Sequence, residues 1–155
     1  MPDKVKPIPD GYHAVTPYLS IRGAADAIEF YKRAFGATEH TRLTQPDGRI
    51  GHAEVQIGDS RVMLADESPE MDFRSPHSIG GTAVTLHLYV ENVDKVVSQT
   101  LAAGAKLIRP VQDQFYGDRS GTVADPYGHV WNISTHKEDL SMDEIRRRAA
   151  AQHKG

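Results

Sequence analysis

The sequence contains no cysteine, which excludes disulfides, thiolate metal sites and a cysteine nucleophile. It has no basic excess either, because 18 Lys and Arg stand against 21 Asp and Glu, for a formal net charge of −3. Nucleic-acid-binding domains usually carry a basic patch, so we expect no nucleic-acid partner. The first residues lack a signal-peptide core, and no apolar run approaches the roughly 18 residues of a membrane helix. We therefore expect a cytoplasmic protein with no membrane partner.

Two families of catalytic motif are also missing. There is no G-x-x-x-x-G-K or G-x-G-x-x-G spacing for a phosphate or dinucleotide, and no G-x-S-x-G nucleophile elbow. The glycine-rich segment 116–121 is therefore predicted to be a turn that places Phe115 and Arg119 at the rim of a pocket. Arg119 could pair there with an anionic ligand group or form a structural salt bridge, and both alternatives stay open. No catalytic residue is assigned.

What is present is the pattern of a strand followed by a helix. Residues 13–21 alternate between apolar and polar side chains, which is the period of a half-buried strand. Residues 24–35 then take helical spacing, and Gly36 follows in the position of a left-handed C-terminal cap. The alternation predicts that the core-facing side chains of the strand are Val15, Leu19 and Ile21.

The second half of the chain repeats this order. Residues 82–90 alternate as a strand, and residues 92–103 form a capped helical pattern that ends before a glycine. The segments 34–37 and 102–105 match at an offset of 68, and the same offset places Val62 on Val130. Turn sequences then divide the remainder of each copy into three strands, near 38–45, 50–57 and 61–65 and near 106–111, 119–124 and 129–135.

These observations predict a tail at 1–11, a first βαβββ module at 12–66, a linker at 67–81, a second module at 82–136 and a helical tail at 137–155. The tail helix is predicted to begin with an S-x-x-E capping box formed by Ser141 and Glu144. Its side chains are mostly Arg and Ala, which favours a solvated or dimer-packing helix.

A sheet that carries helices on one face leaves its other face open. Strand parity places hydroxyl, imidazole, amide and carboxyl groups on that face, the types that line pockets, although an open solvent-facing sheet is the alternative. Parity places Trp131 and Ile133 in the core. The candidate ligand-binding residues are Thr16, Tyr18, His52, Glu54, Gln56, Thr85, His87, Tyr89, Phe115, Arg119, Thr122 and Asn132.

Three features together resemble the vicinal-oxygen-chelate superfamily of glyoxalase, bleomycin-resistance and extradiol-dioxygenase proteins. They are the duplicated βαβββ pattern, the A-x-x-F-Y-x-x-x-F-G-A phrase at 27–37, and the D-P-x-G hairpin that begins at Asp125. The phrases HAEVQIGDSRVMLADE and FYGDRSGTVADPYGH are most similar to the PhnB-like branch. The resemblance covers about residues 12–135.

The resemblance implies where a metal would bind in the metal-dependent members. Ligands come from the first strand and from a later strand of each module, and these positions fall at Thr16, near Glu54, at Thr85 and at Asn132. Glu54 is the one good ligand among them, because divalent first-row metals prefer imidazole and carboxylate. The resemblance therefore implies no tightly bound metal. The alternative is a shifted facial triad of His52, Glu54 and His87.

We expect an α+β protein in which two tandem βαβββ modules form curved mixed sheets around a pocket, with an additional C-terminal helix. The function expected is small-molecule binding of the glyoxalase/bleomycin-resistance type, with an unknown organic ligand and no cofactor. The alternatives are a metal-dependent lyase, isomerase or dioxygenase, and a non-catalytic interaction module. Because members of the superfamily commonly form dimers and the predicted sheets have exposed edges, we expect a homodimer.

Overall fold

The computed structural model describes residues 4–153; residues 1–3 and 154–155 of the two predicted tails lie outside the described residues. The α+β class and the tandem modules are confirmed. The chain divides between Gly81 and Thr82 into two compact units. The first contains β1 (Tyr18–Ile21), α1 (Ala24–Phe35), β2 (Thr38–Thr44), β3 (Ile50–Ile57), β4 (Ser60–Asp66) and α2 (Pro76–Ile79). The second contains β5 (Thr85–Tyr89), α3 (Val93–Ala102), β6 (Lys106–Asp113), β7 (Asp118–Ala124), β8 (Val130–His136) and α4 (Met142–Gln152).

Each unit has a four-stranded mixed sheet with the same topology. The strand orders are β1-β4-β3-β2 and β5-β8-β7-β6. Strand β1 pairs in parallel with β4, and β5 pairs in parallel with β8. Helix α1 packs on β3 and β4, and α3 packs on β6, β7 and β8. The largest fully buried side chains include Phe30 and Tyr31 from α1, and Trp131 and Ile133 are 3% and 0% exposed, as predicted.

The two first strands are shorter than predicted. Strand β1 begins at Tyr18 rather than at residue 13, and Val15, which was expected in the core, is 86% exposed. The reason is Pro17, which has no N–H to donate to a strand partner. Its carbonyl still accepts a hydrogen bond from the Met63 N–H at 2.9 Å, so pairing starts at this residue. Likewise β5 begins at Thr85, and Val84 is 64% exposed.

The internal repeat is shifted by one residue in its last strand. In the first unit Val55 pairs with Val62, seven positions on, whereas in the second Val123 pairs with Trp131, eight positions on. The predicted equivalence of Val62 and Val130 is therefore wrong, because the second hairpin holds one more residue. The equivalent of Val62 is Trp131, and both are buried.

The helix ends follow local sequence signals. Gly36 takes a left-handed φ of 68° after α1, and the Asn92 side chain caps α3 by accepting from the Lys95 N–H at 3.1 Å. The capping box of α4 forms only in part, since Ser141 Oγ accepts from the Glu144 N–H at 3.1 Å. The Glu144 carboxylate pairs with Arg147 and Arg148 instead, which lowers its pKa to about 2. Among residues 4–153, no helix has both the length and the apolarity to span a membrane.

Candidate functional site

A hydrogen-bonded row of three side chains crosses the sheet of the first unit. Tyr18 on β1 is opposite Met63 on β4, and Met63 is opposite Glu54 on β3, so parity places these residues and His52 on one face. The Tyr18 hydroxyl lies 2.7 Å from His52 Nδ1, and His52 Nε2 lies 2.9 Å from Glu54 Oε2. The sequence analysis proposed all three as pocket residues, and the structure brings them together.

The partners within this row determine where its protons lie. An ionised carboxylate can only accept hydrogen bonds, so Glu54 takes the N–H of His52 Nε2. With neutral His52, Nδ1 then accepts, and the Tyr18 O–H donates to it. Partial burial raises the pKa of the Tyr18 phenol, which favours its protonated form. The row is therefore directional, with its acceptor end at Glu54.

A cavity of about 530 Å³ lies at the Tyr18 end of this row. Tyr18 packs edge-on against Phe73 with ring centroids 5.5 Å apart, so the cavity has an aromatic wall. Most of its residues were not predicted from the sequence, because they come from the β2–β3 turn and from the segment that was predicted only to link the modules. Its lining consists of Tyr18, Gln45, Arg49, Ile50, Gly51, Ala65, Asp66, Glu67, Ser68, Glu70, Met71 and Phe73.

Two carboxylates of the lining hold the cavity wall together. Asp66 at the end of β4 accepts the N–H groups of Gly23 and Ala24 at the start of α1, and that of Ile50 at the start of β3. Glu67 accepts from the hydroxyls of Ser75 and Ser78 and from Arg22, and these contacts fix the segment around α2 against the sheet. The serine hydroxyls are the main cause that lowers the pKa of Glu67 to about 2.

Replacing Glu67 by Gln is expected to lower the free energy of unfolding at neutral pH by about 1–2 kcal/mol, because the charge-assisted hydrogen bonds are lost. The depressed pKa means that Glu67 contributes stability above its unfolded pKa of about 4.5, and that this contribution is lost as the pH falls toward 2. Urea unfolding at several pH values should therefore show a shallower acid dependence in Glu67→Gln. Equal slopes for the two proteins would contradict this role.

A second cavity, of about 490 Å³, lies at the other end of the row. Glu54 and Met63 form its sheet side, and the N-terminal segment forms the rest of its wall. Tyr12 in this segment lies under the Arg61 guanidinium, which is 5.3 Å from the ring centroid. Thr16, a predicted pocket residue, lines this cavity, and its hydroxyl reaches the His13 carbonyl at 3.4 Å.

The second unit carries a row of three polar side chains whose two ends lie at strand positions equivalent to the ends of the first row. Asn132 Nδ2 lies 3.1 Å from His87 Nδ1, and Thr122 Oγ1 donates to Asn132 Oδ1 at 3.2 Å. The strand register makes His87 equivalent to Tyr18, Thr122 equivalent to Glu54, and Asn132 equivalent to Met63. All three residues were predicted pocket residues, and they form a row without a carboxylate, whereas the row of the first unit ends at Glu54.

The remaining predicted pocket residues take other partners. The Gln56 amide donates to the Gly58 carbonyl at 3.1 Å, and Thr85 is exposed at the start of β5. Phe115 packs edge-on against Tyr116, with its carbonyl accepting from Arg148. The Arg119 guanidinium forms ion pairs with Asp94 and Asp113 at 2.8 and 3.1 Å, which is the structural alternative considered for this residue.

A buried acid that the sequence analysis did not single out organises the end of the second sheet. Asp118 is 5% exposed and accepts from the Tyr89 hydroxyl at 2.8 Å, which together with burial raises the pKa of that phenol. Its other oxygen lies 2.7 Å from His136 Nδ1, and His136 Nε2 lies 2.7 Å from Asp139. The two carboxylates raise the pKa of His136. Asp118 was not predicted as a buried residue because its position falls in a predicted turn, where a carboxylate is expected to be exposed. In the structure it is the first residue of β7.

The residues at the implied metal positions do not fit a divalent metal. The strand register makes Met63 on β4 the first-unit equivalent of Asn132. The metal-ligand position that was predicted near Glu54, on β3, therefore lies on the neighbouring strand β4. Thr16, Thr85, Met63 and Asn132 offer no imidazole or carboxylate, and the Asn132 oxygen already accepts from Thr122. For the shifted triad, His52 Nε2 and Glu54 Oε2 already hydrogen bond to each other. Within residues 4–153, no group of three His, Asp or Glu side chains is arranged to hold a metal.

Comparison with known proteins gives the class to which this fold belongs. A model of the Glyoxalase/Bleomycin resistance protein/Dioxygenase superfamily matches residues 13–133, so the chain belongs to that superfamily. An uncharacterized Mycobacterium bovis protein is 42% identical over 145 residues, which are 92% of this chain and 95% of the relative.

Two solved structures show the same fold. TioX from Micromonospora sp. ML1 has a TM-score of 0.62 and 26% identity, over 83% of this chain and 100% of that one. A Bacillus cereus PhnB protein, described as a putative 3-demethylubiquinone-9 3-methyltransferase, has a TM-score of 0.63 and 19% identity, over 79% and 99%. The predicted resemblance to the superfamily is confirmed, and it includes a PhnB structural neighbour.

Proposed function

We propose that this protein binds a small organic molecule in the cavity beside Tyr18, as a member of the superfamily that works without a tightly bound metal. The observation that carries the proposal is the cavity itself. A volume of about 530 Å³ is within the range of small-molecule sites, and its wall combines apolar and aromatic side chains with polar and charged groups. The hydrogen-bonded row supports the proposal further, because it holds the Tyr18 hydroxyl in a fixed orientation.

The cavity can be filled by substitution at Gly51. The three atoms nearest to a Cβ at this position belong to the flexible Gln45 side chain, at 3.1–3.6 Å, so a larger residue is accommodated when that side chain shifts. Gly51→Leu is therefore expected to occupy the cavity and keep the fold. His40→Leu is the matched control, because it places the same side chain at an exposed position of the neighbouring strand β2, outside the lining of either cavity.

The experiment is a fragment titration of ¹⁵N-labelled protein followed by NMR. Flat aromatic fragments should shift the amide signals of Gly51 and Phe73 in the wild-type protein and in His40→Leu. In Gly51→Leu we expect their affinity to fall about tenfold or more, which corresponds to about 1.4 kcal/mol. The proposal fails if no fragment shifts these signals, or if Gly51→Leu binds every fragment as well as the wild type does.

A further inference from the structure

The cavity beside Tyr18 presents a hydrogen-bond acceptor to whatever it holds. In the tautomer of His52 that carries its proton on Nε2, facing Glu54, Nδ1 accepts the Tyr18 O–H at 2.7 Å. The Tyr18 oxygen then has a lone pair and no proton to offer. A ligand that reaches this oxygen must therefore supply an N–H or O–H donor.

The charged groups around the cavity are mostly negative. Its lining contains three carboxylates, Asp66, Glu67 and Glu70, and one guanidinium, Arg49. Arg49 is already paired with Asp47 at 2.9 Å, and Glu67 is paired with Arg22 at 3.0 Å. Counting these partners gives four carboxylates against two guanidiniums, a surplus of two negative charges.

Hydrogen bonding keeps this negative charge in place at neutral pH. A backbone N–H and the Ser68 hydroxyl lower the pKa of Glu70, and the pKa of Glu67 is about 2. Both acids therefore stay ionised, and the field of the cavity favours a positive group over a negative one. The faces of Tyr18 and Phe73 add an electron-rich surface that attracts a cation as well as an apolar ring.

Building on the proposed function, we propose that the cavity selects organic cations with an apolar aromatic body. The ring packs against Phe73 and Tyr18, and a protonated amine donates to the Tyr18 oxygen within a cavity whose lining carries the carboxylates. A neutral alcohol satisfies the oxygen but gains no Coulomb attraction. A carboxylate ligand supplies no donor and meets a like charge. The expected order of affinity is therefore amine, alcohol, carboxylate.

Three probes of similar size test this order by isothermal titration calorimetry at neutral pH: phenethylamine, phenethyl alcohol and hydrocinnamate. We expect the amine to bind the wild-type protein about tenfold more tightly than the alcohol, and hydrocinnamate to bind most weakly. Tyr18→Phe keeps the ring but removes the acceptor that the amine and the alcohol share, so both should weaken severalfold relative to hydrocinnamate. Glu70→Gln removes one charge, so it should reduce the preference for the amine over the alcohol severalfold. Glu91→Gln, an equal charge change at an exposed residue of the second unit, should leave it unchanged.

The outcomes separate this inference from the proposed function. Equal affinities for the three probes, or tightest binding of hydrocinnamate, would overturn the selection of cations while leaving small-molecule binding in place. An unchanged preference for the amine over the alcohol in Glu70→Gln would also overturn it, as would affinities of both donors relative to hydrocinnamate that do not change in Tyr18→Phe. Failure of all three probes overturns the inference, and the fragment titration with Gly51→Leu then decides separately whether the cavity binds ligands.

Discussion

Replacing Asp66 by Ala should cost the first unit about 3 kcal/mol of unfolding free energy, one of the two largest effects expected in this protein. The carboxylate accepts three backbone N–H groups, from Gly23 and Ala24 at 3.0 and 2.9 Å and from Ile50 at 2.7 Å. Alanine leaves these donors without their partner, and each lost charge-assisted hydrogen bond costs roughly 1.5–3 kcal/mol, less where water replaces it. The start of α1 also loses the negative charge that complements its dipole.

Chemical denaturation of Asp66→Ala and of Asp59→Ala measures this effect against a matched control. Asp59 lies in the β3–β4 turn, where its carboxylate accepts only from the neighbouring Ser60 hydroxyl, so its loss should cost less than about 0.5 kcal/mol. Similar unfolding free energies for the two variants would show that the Asp66 contacts do not stabilise the unit.

The second large effect is expected at Asp118 in the second unit. Asp118→Asn keeps the shape of the side chain but weakens the hydrogen bonds to Tyr89 and His136, which lie 2.8 and 2.7 Å from its oxygens. Because the residue is buried, we expect a loss of about 2–3 kcal/mol in the free energy of unfolding at pH 6.

The same substitution should change how stability depends on pH. The pKa of His136 is raised above 6.5 by Asp118 first and by Asp139 second, so His136 contributes stability that is fully present below pH 6.5. This contribution is lost as the pH rises through the raised pKa of the folded protein. Stability of the wild type should therefore fall more between pH 6 and 9 than that of Asp118→Asn.

Asp139→Asn serves as the control for this pH series. Asp139 is fully exposed, so its pairing with His136 is screened by water and its loss should alter the slope only slightly. Asp118→Asn and the wild type would have the same pH slope if the buried pair did not hold the His136 proton. That result would contradict the role assigned to Asp118.

Hydrophobic periodicity predicted correctly the helices and strands in which many residues follow the same apolar repeat. The helix at 24–35 and the strand at 50–57 were placed at their observed bounds, because burial of one face imposes a repeat that the sequence displays. Strand β1 was extended too far, because the alternation continues through Pro17, whose missing N–H ends pairing. Strand β8 was aligned with β4 one residue out of register, because the extra residue in the second hairpin does not change the alternation of apolar and polar residues within the strands.

The polar row and the cavity differ in how far sequence could predict them. Tyr18, His52 and Glu54 share a face by parity, so their proximity followed once the strands were assigned. The cavity wall did not follow, because Arg49, Glu67 and Phe73 lie in a turn and in a connecting segment whose path is set by tertiary contacts. These tertiary contacts include the hydrogen bonds that Ser75, Ser78 and Arg22 donate to Glu67. The binding role of these residues stays a prediction.

The central claim, ligand binding without a tightly bound metal, is tested most directly by combining native mass spectrometry with elemental analysis. The protein should be purified without chelator, together with the double variant His52→Ala, Glu54→Ala. The account predicts far less than one transition-metal ion per chain in both proteins, and fragment binding that is unchanged when a chelator is added. One metal ion per wild-type chain, absent from the double variant and required for fragment binding, would contradict it.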